Sequence, residues 1–203
     1  MPSPMDWGLS APYLLAALLG GYVLGSIPFG LILTRLAGLG DIRAIGSGNI
    51  GATNVLRTGN KPLALLTLLL DGAKGAVAVL IAQNWGADVT VSAAFGVFAG
   101  HVLPVWLRFK GGKGVATFLG ITLGLNPMVG VAGLATWALA AALTRISSAA
   151  ALATAALTPL YFWLAGQAQL SQLTVLLAAA IFFTHRENIR RLRRGIEPRI
   201  GAK

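Results

Sequence analysis

Three polar clusters interrupt a chain of 203 residues that is 56% apolar. The first runs from Gly46 to Asn54 (Gly-Ser-Gly-Asn-Ile-Gly-Ala-Thr-Asn), with Arg43 just upstream. A plain turn needs one or two glycines, so this run of small and amide-bearing positions suits a backbone brought close to a ligand, with Ser47, Asn49 and Asn54 offering hydrogen bonds. Its first six residues also satisfy G-x-G-x-x-G, but that string has meaning only in a strand-turn-helix unit, which this chain cannot form. The second cluster holds Gly100, His101 and Pro104, then Arg108, Lys110, Gly111, Gly112, Lys113, Gly114 and Thr117. A glycine run that opens a helix presents free N–H groups and the positive end of the helix dipole, and two lysines add charge; phosphate is the natural guest. It is not a Walker A loop, because Gly114 follows Lys113 where Ser or Thr is required. The third cluster is His185, Arg186, Glu187, Asn188, Ile189, Arg190, Arg191 and Leu192. At helical spacing His185 and Asn188 share a face, and Glu187 can pair with Arg190 or Arg191.

The elements that must position these clusters are membrane helices. Charged residues make up only 11% and the mean hydropathy is +0.74, which excludes an ordinary soluble domain, a disordered chain and a collagen-like repeat. With no cysteine, two histidines and no cluster of acids, the chain offers no disulfide framework, thiolate nucleophile or metal site, and no cofactor is expected. The first six residues carry one acid and no base, so the opening apolar stretch reads as a mature helix rather than a cleaved leader. The first span is expected over 7–34 with a kink at Pro28, the second from Pro62 toward Trp85, the third over 89–107. The uncharged run from Gly114 to Thr144 is 31 residues long, too long for one comfortable crossing. It is expected to break at Gly124-Leu125-Asn126-Pro127 into a short arm, whose start is sunk in the membrane, and a full return arm. The 39 uncharged residues from Ile146 to Thr184 divide at the polar segment 166–172. Inside the second span, Asp71 and Lys74 are three apart and should pair, since isolated charge in a bilayer is expensive.

Seven crossings put fifteen of the sixteen Lys and Arg on one face, leaving Asp6 and Asp88 on the other. By the positive-inside rule the basic face is cytosolic, the N-terminus outside and the C-terminus inside. The net charge of +10 thus serves orientation and attraction to lipid headgroups, not nucleic acid. The expected fold is an all-α integral membrane protein with seven transmembrane helices, a single domain over residues 1–203, with all three clusters on the cytosolic face.

These motifs resemble, in order and interhelical position, the three signatures of the bacterial membrane glycerol-3-phosphate acyltransferases that use acyl-phosphate donors. The likeness covers the whole chain; one departure is Leu103, where the family often has Phe or Tyr. It implies transfer of a fatty acyl group from acyl-phosphate to the 1-hydroxyl of sn-glycerol 3-phosphate, giving lysophosphatidic acid and phosphate, the first acylation of phospholipid synthesis. It also implies a multi-pass protein of the bacterial cytoplasmic (inner) membrane, in contact with membrane lipids, with the soluble enzyme that makes acyl-phosphate as a candidate partner. The His-x-x-x-x-Asp motif of other membrane acyltransferases is missing: Trp106 stands five residues after His101 and Arg190 five after His185. Acyl-CoA is therefore not the expected donor.

On this resemblance the Gly111, Gly112 and Gly114 backbone with Lys113 should hold the donor phosphoryl group, with Ser47 and Asn49 closing the pocket. Arg43, Lys110, His185 and Asn188 fall to the acceptor phosphate and its orientation. Gly48, Thr53, Asn54, His101, Thr117 and Glu187 are carried as further substrate-binding positions, and a serine at a later turn, Ser148 or Ser147, should reach the site. The acceptor proton goes to a substrate phosphate or to His185, and acylation of Ser47 is a third route. The alternative from another class is a carrier or flippase for phosphorylated metabolites, but the chain shows no internal repeat and its polar groups cluster on one face.

Overall fold

The computed structural model describes residues 7–201, which form ten α-helices and no strand. Asp6, expected on the outer face, lies outside the described residues. The first apolar stretch is two helices, α1 (Trp7–Gly25) and α2 (Phe29–Leu36). The break is at Ser26 to Pro28, because Pro28 has no N–H to continue the ladder. A loop with a short α3 (Ala52–Leu56) leads to α4 (Lys61–Ala82), whose start is set by the Asn60 side chain accepting from the Leu63 N–H at 3.0 Å, with Pro62 in the first turn. Next come α5 (Ala87–Val102), α6 (Val115–Leu125) and α7 (Pro127–Thr144). The expected break between the last two is at Asn126, whose Oδ1 accepts from Met128 and Val129 at 3.0 and 3.2 Å. Then α8 (Ser147–Leu164) and α9 (Ala168–Thr184) follow, and the chain bends by 63° at His185 into α10 (Arg186–Arg193).

Among the described residues five stretches are long and apolar enough to cross a bilayer, and the bent α9–α10 pair, taken as one span, makes a sixth. The eleven residues of α6 cover about 16 Å, half of a hydrocarbon layer. This helix lies beside the later half of α4, with Thr117 Oγ1 donating to the Asp71 carbonyl and Gln83 donating to the Gly124 carbonyl, each at 2.9 Å. Its N-terminus therefore sits about ten residues, roughly 15 Å, in from the start of α4.

Helices pack here without a hydrophobic drive, so close backbone approach decides which faces meet. Gly21 and Gly25 on α1 and Gly96 and Gly100 on α5 each leave no room for a Cβ against the opposing backbone, and Gly120 on α6 meets the Gly72 carbonyl of α4 in the same way. At the α1–α2 break, the carbonyls freed from the ladder find side chains: Lys74 donates to Ile27 at 2.9 Å and Trp106 Nε1 to Ser26 at 2.7 Å. Lys74 pairs with Asp71 at 2.9 Å, as expected from their spacing. His101 Nδ1 stands 3.7 Å from the same carboxylate, beyond hydrogen-bond reach.

Candidate active site

The loop after α2 is organised by a buried amide. Asn54 Nδ2 donates to the carbonyls of Ile42 (2.7 Å), Asn49 (2.8 Å) and Ile45 (3.2 Å), and its Oδ1 accepts from the Ser47 N–H at 3.2 Å. Asn49 Oδ1 accepts from the Gly51 N–H at 2.9 Å, so the loop is folded by its own side chains, while Ser47 and Gly48 stay exposed. Arg43 is held by Asp41, its Nη2 donating at 2.5 Å; these hydrogen bonds keep the Asp41 carboxyl far below the usual range and raise the Arg43 guanidinium further.

The glycine loop doubles back on α5. Arg108 and Phe109 take left-handed backbone at φ 53 and 61, and the N–H groups of Gly111 and Gly112 donate to the Val102 and His101 carbonyls at 3.1 and 3.0 Å. A side chain on Gly112 would run into the His101 imidazole, and Gly114, at φ 87, would collide with the Phe98 ring. These glycines are required by packing. The N–H groups left for an anion are those of Lys113, Gly114 and the first turn of α6.

Lys113 reaches the third cluster. Its ammonium donates to Asn188 Oδ1, and its carbonyl accepts from Thr184 Oγ1 at 3.2 Å. His185, buried at the bend, bonds the Ile181 carbonyl through Nδ1 at 2.8 Å; a carbonyl can only accept, so Nδ1 carries the proton and Nε2 is left to act. Asn188 Nδ2 donates to Glu197 Oε1 at 2.5 Å, and that oxygen also accepts from Ser148 Oγ at 2.7 Å, while Arg191 Nε reaches Oε2 at 2.6 Å. Next to Ser148, Ser147 Oγ lies 3.3 Å from Thr53 Oγ1, which ties the first loop to the same assembly. Burial pulls the Lys113 amine down to about 8, with Arg191 and Arg57 pushing the same way and Glu197 opposing. Burial raises the Glu197 carboxyl, but its bonds to Asn188, Arg191 and Ser148 outweigh that and hold it below its ordinary value.

The sequence pattern of the glycerol-3-phosphate acyltransferase family matches residues 15–195. Curated relatives of that name include proteins of Brucella canis, 56% identical over 94% of both chains, and Agrobacterium fabrum, 53% identical over the full length of both. The chain belongs to the glycerol-3-phosphate acyltransferase family. Its fold is also that of the crystal structure of PlsY (YgiH), an integral membrane glycerol 3-phosphate acyltransferase: TM-score 0.88 for the glycerol 3-phosphate form, at 36% identity over 93% of this chain and 96% of that one. The lysophosphatidic acid form gives 0.86 at 35% identity, over 93% of this chain and 95% of that one.

In this acyltransferase Lys113, His185, Asn188 and Ser148 come together, and the neighbouring Ser147 faces Thr53 of the first loop. Several expected binders are placed otherwise. The Gly111 and Gly112 amides are spent on α5, and His101 lies beneath the loop. Thr117, fully buried, is bonded to α4. Asn54 has committed its amide inside the first loop. Arg43 is turned to Asp41, and Glu187 is exposed and paired with Arg190 at 2.9 Å. The Lys110 side chain is exposed and has no partner among the described residues, while its N–H donates to the Leu107 carbonyl at 3.1 Å. Sequence reasoning missed Glu197, Arg191 and Arg57. Glu197 had one signal, as the lone acid after Glu187 in a strongly basic tail.

Proposed function

We propose that this protein moves a fatty acyl group from acyl-phosphate to the 1-hydroxyl of sn-glycerol 3-phosphate, giving lysophosphatidic acid and inorganic phosphate. The observation that carries this reading is the meeting of Lys113, at the mouth of a helix sunk in the bundle, with His185 and Asn188 at the α9–α10 bend, in a member of this family. A recessed cationic site fits a donor whose tail lies in lipid and whose head lies at the interface. Seven crossings, with the N-terminus outside and the site at the cytosolic leaflet of the inner membrane, would let glycerol 3-phosphate enter from the cytosol.

Acyl-phosphate is an activated mixed anhydride, so positioning and charge neutralisation can suffice. The acceptor oxygen attacks the acyl carbon, the bond from that carbon to the phosphate oxygen breaks, and phosphate leaves with the bonding pair. The Lys113 ammonium and the N–H groups of Lys113, Gly114 and Val115 would receive the departing phosphate charge. Asn188 and Ser148 would orient the acceptor, with Ser47, Gly48, Asn49 and Lys110 at the open rim. The acceptor proton passes to a substrate phosphate oxygen or to His185 Nε2.

The test is the purified protein in lipid with both substrates. Phosphate release that requires donor and glycerol 3-phosphate together, and is absent with acyl-CoA, supports the reading. Uptake of glycerol 3-phosphate without turnover would make the protein a carrier, and a trapped acyl group on Ser47 would exclude direct transfer.

A further inference from the structure

The segment that follows α10 carries an acid into the middle of the cationic site. Gly195, at φ 70, reverses the chain; the Ile196 N–H donates to Arg191 at 3.0 Å and the Ile200 N–H to the Arg145 carbonyl, before α8, at 2.7 Å. The tail thereby bridges α10 and the α7–α8 turn, and Glu197 is delivered between them with its side chain 6% exposed. We propose that Glu197 is a positioning residue for acyl transfer: by accepting hydrogen bonds from Ser148, Asn188 and Arg191, it turns the Asn188 carbonyl toward Lys113 and holds the Lys113 ammonium at the phosphate-binding position. The phosphate role of Lys113 rests on the function proposed above.

A carboxylate only accepts, so the amide end facing Glu197 must be the Asn188 NH2, which leaves the Asn188 oxygen for Lys113. An uncharged amide in place of Glu197 could present either end and would not dictate this order. Charge works in the same direction. Arg191 on α10 and Arg57 after α3 act on Lys113 as like charges, Lys113 in turn acts on His185 at the bend, and among the described residues Glu197 is the acid that opposes them. Glu197 also lies at the N-terminus of α8, where a negative charge is favoured by the unpaired N–H groups. The carboxylate offsets the mutual repulsion of Lys113, Arg191 and Arg57 and favours the charged form of Lys113.

The experiment compares full-length wild type, Glu197→Gln, Glu197→Asp and Arg194→Gln in lipid, measuring phosphate release against glycerol 3-phosphate concentration and pH. Glu197→Gln is expected to raise KM for glycerol 3-phosphate by about ten- to a hundredfold, the cost of losing hydrogen bonds to a charged group, and to move the alkaline limb of kcat/KM to lower pH. Glu197→Asp keeps the charge and should leave that limb in place while KM rises. Arg194→Gln removes an exposed tail cation and should match wild type. Unchanged KM and limb in Glu197→Gln overturn the proposal. So does a lower KM, which would make Glu197 a competitor for the substrate phosphate, and so does a loss of activity with the limb unmoved, which would make the tail merely structural. If wild type itself releases no phosphate, the function reading fails separately. Calorimetry with inorganic phosphate then reads the proposal alone, which stands if Glu197→Gln binds it ten- to a hundredfold (about 1.5–3 kcal/mol) more weakly and falls if it does not.

Discussion

Two charge clusters, one buried and one part-buried, are built in opposite ways. Asp71, Lys74 and His101 all stand on regular helix; Lys74 joins the Asp71 carboxylate to the Ile27 carbonyl freed at the α1–α2 break, while His101 Nδ1 stands 3.7 Å from that carboxylate without bonding it. Lys113, Asn188, Arg191, Glu197 and Ser148 come instead from a loop, a helix bend, a tail and a helix start, and cations outnumber acids there. The first cluster is closed and leaves no charge over for a ligand. The second is held together by a single carboxylate and carries a surplus of positive charge, which is what the proposed reaction between two anions needs. Burial alone therefore does not mark the chemistry; the excess of one sign does.

Removing one member should separate the two most sharply. Asp71→Ala strands Lys74 without its counter-charge and is expected to destabilise the fold by about 3–5 kcal/mol, read as a lower melting temperature in detergent, while the double change with Lys74→Met recovers most of the loss. Lys113→Met is expected to cut kcat/KM by about 10²–10³ with little change in melting, and an equal loss from both variants in both assays would erase the distinction between the clusters. Gly120→Leu should wedge α6 from α4 at the Gly72 carbonyl and cost about 1–3 kcal/mol of stability, sharpening how far the sunk start of α6 matters to Lys113. The mildest effect is that of pH. With Lys113 at about 8 against an ordinary 10.5, activity that needs its charge falls as pH rises past about 8. In the window between those values the unfolded chain binds more protons than the folded one, so the Lys113 contribution to stability grows with pH as activity declines. Lys113→Met removes both trends, and parallel pH curves for wild type and variant would assign the titration elsewhere.

The helices were legible in the sequence because charge is too costly in lipid to be scattered, so uncharged runs mark the apolar elements, and Asn126-Pro127 and Asn60 with Pro62 are local start signals. The Asp71–Lys74 pair was legible for the same reason. The division of the first span at Pro28 was visible as a kink, but not the side chains, Lys74 and Trp106, that satisfy the opened carbonyls. Short α3 escaped notice because polar loop composition hides a brief helix, whereas the helical spacing of the third cluster was read but not the 63° bend that sets it apart as α10. In the site, Lys113, His185 and Asn188 stood out by residue type and spacing. Thr117, Asn54 and the Gly111 and Gly112 amides were expected to face substrate and are found bonded to the protein's own backbone, because a polar group with either kind of partner has the same sequence signature.

Composition, the spacing of charge and three short motifs were enough to determine an all-helical membrane protein and the family to which it belongs, because desolvation of charge acts on each residue wherever the chain goes. Only the tertiary structure decided that Glu197 is set among Ser148, Asn188 and Arg191, that Ser147 meets Thr53, and that Arg43 and Glu187 have found partners in Asp41 and Arg190. Those choices depend on which distant segments touch, and a hydrogen bond between residues 49 or 75 positions apart leaves no periodicity in the sequence to be read.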